Sequence, residues 1–403
     1  MRKRLGLLMT FLGLLVLIVS GCAKPEQKCL SPEDNPQHHY LKGMEFLEQS
    51  KIVDATAKFD RALYCKHTFG PAHSGLAIVM ALKAGAMTEA GYKAADVKSS
   101  LDHLKMAYKF SKTPEEQFAY RVATIRTYTE LKIEQWLSES EDHYNEAMKL
   151  KVDDRKLLYY DGSEAATYFI GRAYLAGREF QKARDRFSDV LNAKVDSKWH
   201  GPADRDWKKT DKIVRALSGI TVGDVGKEIA IKDSVKRGDM AALLADELKI
   251  DKLFAGRIPV RSDIDKKADF VPADILNHQF RQEILIMMKW GVRGLEPIYD
   301  ATTKANLFKP EDPVTRKELA LFLEDVLMKL LPDEKLATAF FGHDKSPFPD
   351  VSPTSAWYNA IMNMTTRSIM ESELSGEFRP DDKVDGAEAI LAIRVLRQRI
   401  NIH

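Results

Sequence analysis

Phe308-Lys309-Pro310-Glu311-Asp312-Pro313-Val314-Thr315-Arg316-Lys317-Glu318 leads into Leu319-Ala320-Leu321-Phe322-Leu323, and the theme returns as Phe378-Arg379-Pro380-Asp381-Asp382-Lys383-Val384-Asp385-Gly386-Ala387-Glu388. In both, a valine follows the proline by four residues and a glutamate follows the valine by four. Thr315 is placed to cap a helix, with Glu318 completing a capping box. The stripe Leu319, Phe322, Leu323, Val326, Leu327 and Leu330 then recurs at helical spacing and reads as core. Upstream, Pro272-Ala273-Asp274-Ile275, His278 and Gly291-Val292 precede one copy; Phe348-Pro349-Asp350-Val351, Trp357 and Ser368-Ile369 precede the other. A weaker copy holds Pro202-Ala203-Asp204, Trp207, Gly219-Ile220 and Val235-Lys236-Arg237-Gly238-Asp239, with Ile231 four residues before Val235. Residues 196–403 therefore read as a bundle of three related helical motifs, at about 200–248, 270–331 and 346–400.

Ahead of that bundle a different spacing repeats. Gly43, Phe46, Ala55, Phe59 and Ala62 share their offsets with Gly171, Tyr174, Ala183, Phe187 and Val190. The glycines let two helices approach, the alanines fill the far side of that contact, and the phenylalanines pack onto the next hairpin. A lone hairpin cannot bury its apolar face, so such units stack. Gly75 with Leu104 and Ala107, and Pro114 through Leu150, read as two looser units between them. The expected fold is all-α: a helical-hairpin solenoid over 36–195, then the three-motif bundle.

The hairpin pattern resembles the tetratricopeptide repeat, a unit of ~34 residues. The resemblance implies a concave groove that binds a protein segment, with Tyr40 and Met44 of the first unit and Tyr168 and Arg172 of the last facing the ligand. The three motifs resemble the S-layer homology domain. This second resemblance implies a pseudo-threefold bundle whose grooves bind cell-wall polysaccharide. Arg316 and Arg237, in the first turn of their helices, offer planar donor forks to an acidic sugar. Asp274, Asp350 and Glu318 are expected as groove carboxylates, and Trp357 as a stacking platform. The last copy departs from the pattern, with Asp385-Gly386 where threonine and arginine are expected, so its groove lacks the guanidinium.

The N-terminus carries Arg2, Lys3 and Arg4, an apolar run from Leu5 to Val19, and Val19-Ser20-Gly21-Cys22. The run is short for a bilayer span of roughly 20 residues. The stretch resembles a bacterial lipoprotein signal, which implies removal of residues 1–21 and acylation of Cys22. Two or more acyl chains hold a protein stably on a membrane surface. Ala23 after that cysteine implies, by the same resemblance, the periplasmic face of an outer membrane. Residues 22–35, with Pro25 and Pro32, read as a flexible tether. Cys29 precedes the first helix and Cys65 closes the second, and these ends of a hairpin meet, so a disulfide is expected between them.

With 61 basic and 59 acidic residues there is no charge argument for nucleic acid. No metal-spaced cysteines, His-Glu-x-x-His or Gly-x-Ser-x-Gly elbow occurs, and Gly223-Asp224-Val225-Gly226-Lys227 lacks the preceding strand and following Ser or Thr of a phosphate loop. His38-His39 reads as a polar pair at a helix start. No enzyme, cofactor or metal is expected. The composite expectation is an envelope lipoprotein scaffold with three attachments: lipid, wall glycan or peptidoglycan, and a protein partner on the repeats. The alternative is an assembly factor for an outer-membrane or secretion complex, with the bundle purely structural.

Overall fold

The computed structural model describes residue 29 and residues 31–194, 197–219, 221–256, 270–331 and 335–400. The acylation expected at Cys22, the signal peptide and most of the tether lie outside these residues. The chain is mostly helical, as expected, and the described residues form one small sheet of two strands. It divides into two compact units. One runs to Ala173 and takes in Ala193–Trp199; the other comprises Tyr174–Asn192 and the chain from His200 onward.

The first unit is built of antiparallel neighbours. Helix α1 (Pro36–Glu48) packs on α2 (Ile52–Cys65), α3 (Gly70–Ala86) on α4 (Ala90–Phe110), and α5 (Pro114–Leu131) on α6 (Trp136–Lys149). Local chemistry sets the helix starts. Asn35 accepts a hydrogen bond from the His38 amide ahead of a proline at the first position of α1. Thr113 and Glu116 close a capping box around Pro114. Phe59 is fully buried, and its ring lies so close to both Gly43 and Gly75 that a β-carbon on either would sit 2.5 Å from it. These two glycines are therefore the slots that let α1 and α3 close on α2. Helix α3 touches α1, α2, α4 and α5 and is buried nearly all round. That is why its sequence shows no single apolar stripe.

A disulfide joins Cys29 to Cys65, with the α-carbons 5.6 Å apart. Closing this loop is worth about 2–4 kcal/mol. Residues 31–35, expected as the end of a flexible tether, instead form a turn. The Asp34 amide bonds the Ser31 carbonyl, and the Asp34 carboxylate pairs with Arg61 and His39. The Arg61 and His39 bonds hold the exposed Asp34 carboxyl down to about 2. Trp199 is 4% exposed and stacks on Tyr160 and Tyr168 at 6.3 and 5.6 Å, which ties residues 193–199 to this unit.

Helix α7 (Glu164–Ala176) follows, and in the second unit α8 (Phe180–Leu191) packs along α9 (His200–Leu217). Helix α8, read from sequence as the second helix of the last repeat, thus groups with the bundle. Then come α10 (Asp224–Ala230), α11 (Arg237–Asp246), α12 (Ile250–Ala255) and α13 (Arg281–Trp290). The hairpin β1 (Ile298–Asp300) and β2 (Ala305–Leu307) precedes α14 (Arg316–Leu330), α15 (Tyr358–Thr366) and α16 (Gly386–Arg399). One continuous apolar core runs through this unit, including Leu319, Phe322, Leu323, Val326, Leu327 and Leu330 of the α14 stripe.

Candidate functional site

Three valines close the bundle into a ring. The Val235 amide donates to the Val384 carbonyl at 2.8 Å, Val314 to Val235 at 2.9 Å, and Val384 to Val314 at 3.0 Å. Each valine lies just ahead of a helix, α11, α14 or α16, so the backbone cycle fixes the three helix starts around one axis. The first turn of each helix then reaches the loop before the next valine. Arg237 and Gly238 amides bond the Asp312 and Pro310 carbonyls, both at 2.9 Å; Arg316 and Lys317 amides bond Asp382 and Pro380 at 2.9 and 3.0 Å. At the third junction the Gly386 amide bonds the Lys232 carbonyl at 2.9 Å.

The arginines singled out from the sequence sit at two of these junctions, and both are 5% exposed. Arg237 donates through Nε to the Phe308 carbonyl (2.9 Å), Nη1 to Gly294 (2.6 Å) and Nη2 to Glu296 (3.0 Å). Arg316 donates through Nε to the Phe378 carbonyl (2.7 Å) and Nη2 to Glu371 (2.6 Å), and its Nη1 pairs with Glu388. Each guanidinium lies over the phenylalanine whose carbonyl it holds, at 4.9 Å for Phe308 and 4.7 Å for Phe378. Burial pushes the Arg237 pKa down. Burial likewise pushes the Glu388 carboxyl up, against the pull of Arg316. The forks expected to meet a sugar are thus committed to the next motif.

The expected groove carboxylates are committed as well. Asp274 accepts from the Phe308 and Lys309 amides at 3.1 and 2.6 Å, and Asp350 from Phe378 and Arg379 at 2.9 and 2.6 Å. Lys309 and Arg379 have φ of +55° and +56°, so each aspartate pins a turn that L-residues rarely adopt. Glu318 accepts from the Thr315 amide at 2.8 Å, as a helix cap. The outward faces of the junctions are different. Trp357 is half-buried, with the Lys317 ammonium 5.6 Å from its ring centre and Asp381 paired to that lysine. At the equivalent place in the other junction stands Gly238, so close to His278 that a β-carbon would lie 2.8 Å from Cε1. Glu311 there pairs with Lys236 and lies 3.4 Å from His278 Nε2. Sequence reasoning missed Lys317. The signal was its position directly after Arg316, one step round the helix toward Trp357.

The third junction is sealed. A β-carbon on Gly386 would lie 1.7 Å from the Ile229 carbonyl oxygen, so backbone rests on backbone where the other junctions hold a guanidinium. Asp385 caps α16 by accepting from the Glu388 amide at 2.8 Å and pairs with Lys212 at 2.6 Å.

In the first unit, Tyr40 and Met44 are each 1% exposed and Tyr168 is 6% exposed. They are core residues rather than groove walls, because Tyr40 is ringed by Phe59, Phe69 and Tyr159. Of the four residues expected to face a ligand, only Arg172 is exposed. It lines a concavity of about 400 Å³ together with Leu47, Glu48, Ile78, Arg126 and Phe169. The one described trio with metal-ligand spacing, Cys29, Asp34 and Cys65, includes the two cysteines of the disulfide.

No helix among the described residues is long and apolar enough to cross a membrane. No curated protein and no solved structure matches the chain. Residues 347–390, which carry Asp350, Trp357, Phe378, Val384 and Glu388, match the S-layer homology domain family, a non-catalytic binding domain of the cell envelope.

Proposed function

We propose that the chain is a non-catalytic envelope scaffold: its bundle holds an acidic cell-wall glycan, and its helical repeats hold a protein partner. Acylation of Cys22 would pin the same chain to a membrane. The observation that carries the reading is the outward face of the junction between the second and third motifs. There an aromatic ring, a lysine ammonium and a carboxylate stand side by side on a rigid, ring-closed frame. An indole face suits the apolar face of a sugar ring, and an ammonium suits an acidic substituent. Arg316 and Asp350 serve this site by fixing the Phe378–Arg379 loop beside it, and Arg237 and Asp274 do the same for the Phe308–Lys309 loop at the junction of the first and second motifs.

The test is co-sedimentation of the full chain with purified wall sacculi. Wild type should pellet, and Trp357→Ala with Lys317→Ala should weaken retention by about tenfold, the scale of losing a central contact. Both side chains lie at the edge of the junction, so the double variant should fold. Wild-type chain that stays in the supernatant across salt and pH would refute glycan binding.

A further inference from the structure

We propose that His73 and His103 hold a divalent transition-metal ion, copper(II) first among them, through their two Nδ1 atoms at the floor of a solvent-open hollow on the first unit. The site is independent of the glycan and partner readings.

The two histidines are 30 residues apart in the chain, a separation that carries no ligand motif, and only the packing of α3 on α4 joins them. His73, near the start of α3, is 7% exposed, and its ring stacks on Phe110 with the centres 5.7 Å apart. Its Nε2 lies 3.1 Å from the His67 carbonyl oxygen. A carbonyl only accepts, so Nε2 carries the proton of the neutral ring and Nδ1 is a bare lone pair. That lone pair faces His103 Nδ1 at 3.0 Å. A histidine held at one nitrogen by a backbone carbonyl, with the other nitrogen presented, is the arrangement that orients a metal ligand.

Burial pushes the pKa of both rings down, and for His103 the neighbouring His73 adds to the push. Both rings are therefore neutral at neutral pH, the form that binds metal. Without metal, His103 Nδ1–H donates to His73 Nδ1. On coordination that proton passes to His103 Nε2, so both Nδ1 lone pairs meet one ion and no net proton is released.

The separation selects the metal. With metal–nitrogen bonds of about 2.0–2.1 Å, nitrogens 3.0 Å apart subtend about 95° at the ion. Tetrahedral zinc needs its nitrogens about 3.3 Å apart at the same bond length. Neighbouring positions of square-planar or tetragonal copper(II) meet at about 90°, and copper(II) also binds nitrogen most strongly in its series. The hollow, of about 370 Å³, is walled by Ala95, Lys98, Ser99, Asp102 and Met106 and leaves the remaining positions to water. Asp102 is paired with Lys105 at 3.0 Å, so the imidazoles rather than a carboxylate make the site.

The experiment strips full-length chain with a chelator and titrates it with copper(II) against a competing chelator, with electron paramagnetic resonance recorded at one equivalent. Wild type should bind one equivalent tightly, show hyperfine coupling to two imidazole nitrogens, and melt at a higher temperature when loaded. His103→Gln, at a half-buried ring, should lose at least about tenfold in affinity along with the two-nitrogen signature. His38→Gln, at another helix start, should change neither. Far-UV circular dichroism checks that each variant folds; His73→Gln should repeat the His103→Gln result, and if it fails to fold, His103→Gln decides alone. Zinc should bind the pair more weakly than copper. Wild type without a tight equivalent, a His103→Gln variant with wild-type affinity and nitrogen coupling, or zinc held by the pair as tightly as copper would overturn the proposal.

Discussion

Arg316→Met tests whether the junction arginines hold the ring, because methionine keeps much of the reach and removes the charge and donors. Four contacts go: the bonds to the Phe378 and Glu371 carbonyls, the pair with Glu388, and the stacking on Phe378. The Glu388 side chain is 17% exposed, so it is left largely in the protein interior. Removing one partner of a buried pair costs about 3–5 kcal/mol. The carboxyl limits that cost by taking up a proton, since burial already pushes its pKa up and Arg316 is the main opposing influence. A raised folded-state pKa means that the native state binds more protons than the unfolded chain above the ordinary value of 4.5. Stability from that proton is present at low pH and lost as pH rises. The deficit of Arg316→Met should therefore be largest near pH 7.5 and smaller near pH 5.

Two further variants separate the contributions. Arg316→Met with Glu388→Leu removes the stranded carboxyl, leaves two carbonyls short of a donor, and should cost about 1–3 kcal/mol with no such pH dependence. Arg237→Met should behave like the double variant, because all three of its bonds go to carbonyls. A chain of two units has no single unfolding free energy, so the readout is hydrogen exchange over Phe378–Val384 and α14, corrected for intrinsic rates. For Arg316→Met at pH 7.5 protection should fall by about two to three decades, at about 1.4 kcal/mol per decade. A fall below about fivefold, a deficit independent of pH, or a double variant less stable than the single would refute the reasoning.

Gly386→Ala places a methyl against the Ile229 carbonyl and forces backbone apart at the sealed junction. It should cost about 1–3 kcal/mol or more, read as a lower melting temperature with faster exchange at the Gly386 and Val384 amides; an unchanged melt would contradict the sealed geometry. In the first unit, His73 Nδ1 and His103 Nδ1 lie 3.0 Å apart, and burial pushes both pKa values down. The unfolded chain then binds more protons, so this unit should lose stability as pH falls below the ordinary value of 6.5. His103→Gln should flatten that slope in melts between pH 7.5 and 5.5, and an unaltered slope would assign the pH dependence elsewhere.

The sequence made some of this legible because spacing encodes packing. Gly43 and Phe59 stood out by a spacing that returns at Gly171 and Phe187; Phe59 packs onto the following hairpin at Gly75, as read, and also fills the slot at Gly43, a meeting that the spacing did not specify. The cysteine pair followed from the ends of one hairpin. Helix α3 was hard to read because burial on every side erases periodicity. Tyr40 and Met44 were misplaced because helical spacing identifies an inward face without saying whether ligand or protein covers it. The arginines show the same limit at longer range. A first-turn position says that a guanidinium can reach forward, but its acceptors at Phe378 and Glu371 lie in another motif and are fixed only by ring closure.

That closure also explains why three similar motifs need not give three similar sites. The valine cycle is common to all three junctions, so the frame tolerates different residues after each valine. The residue two positions on decides the wall: Arg237 and Arg316 extend into the next motif, while Gly386 admits the Ile229 backbone and shuts the seam. The next residue then decides the face, since Gly238 leaves room for His278 whereas Lys317 crosses Trp357. Two open junctions of different chemistry and one seam therefore arise from two adjacent positions on an unchanged scaffold. Of the three junctions, the one between the second and third motifs sets an indole ring and a lysine ammonium side by side, the pairing that the proposed glycan reading needs.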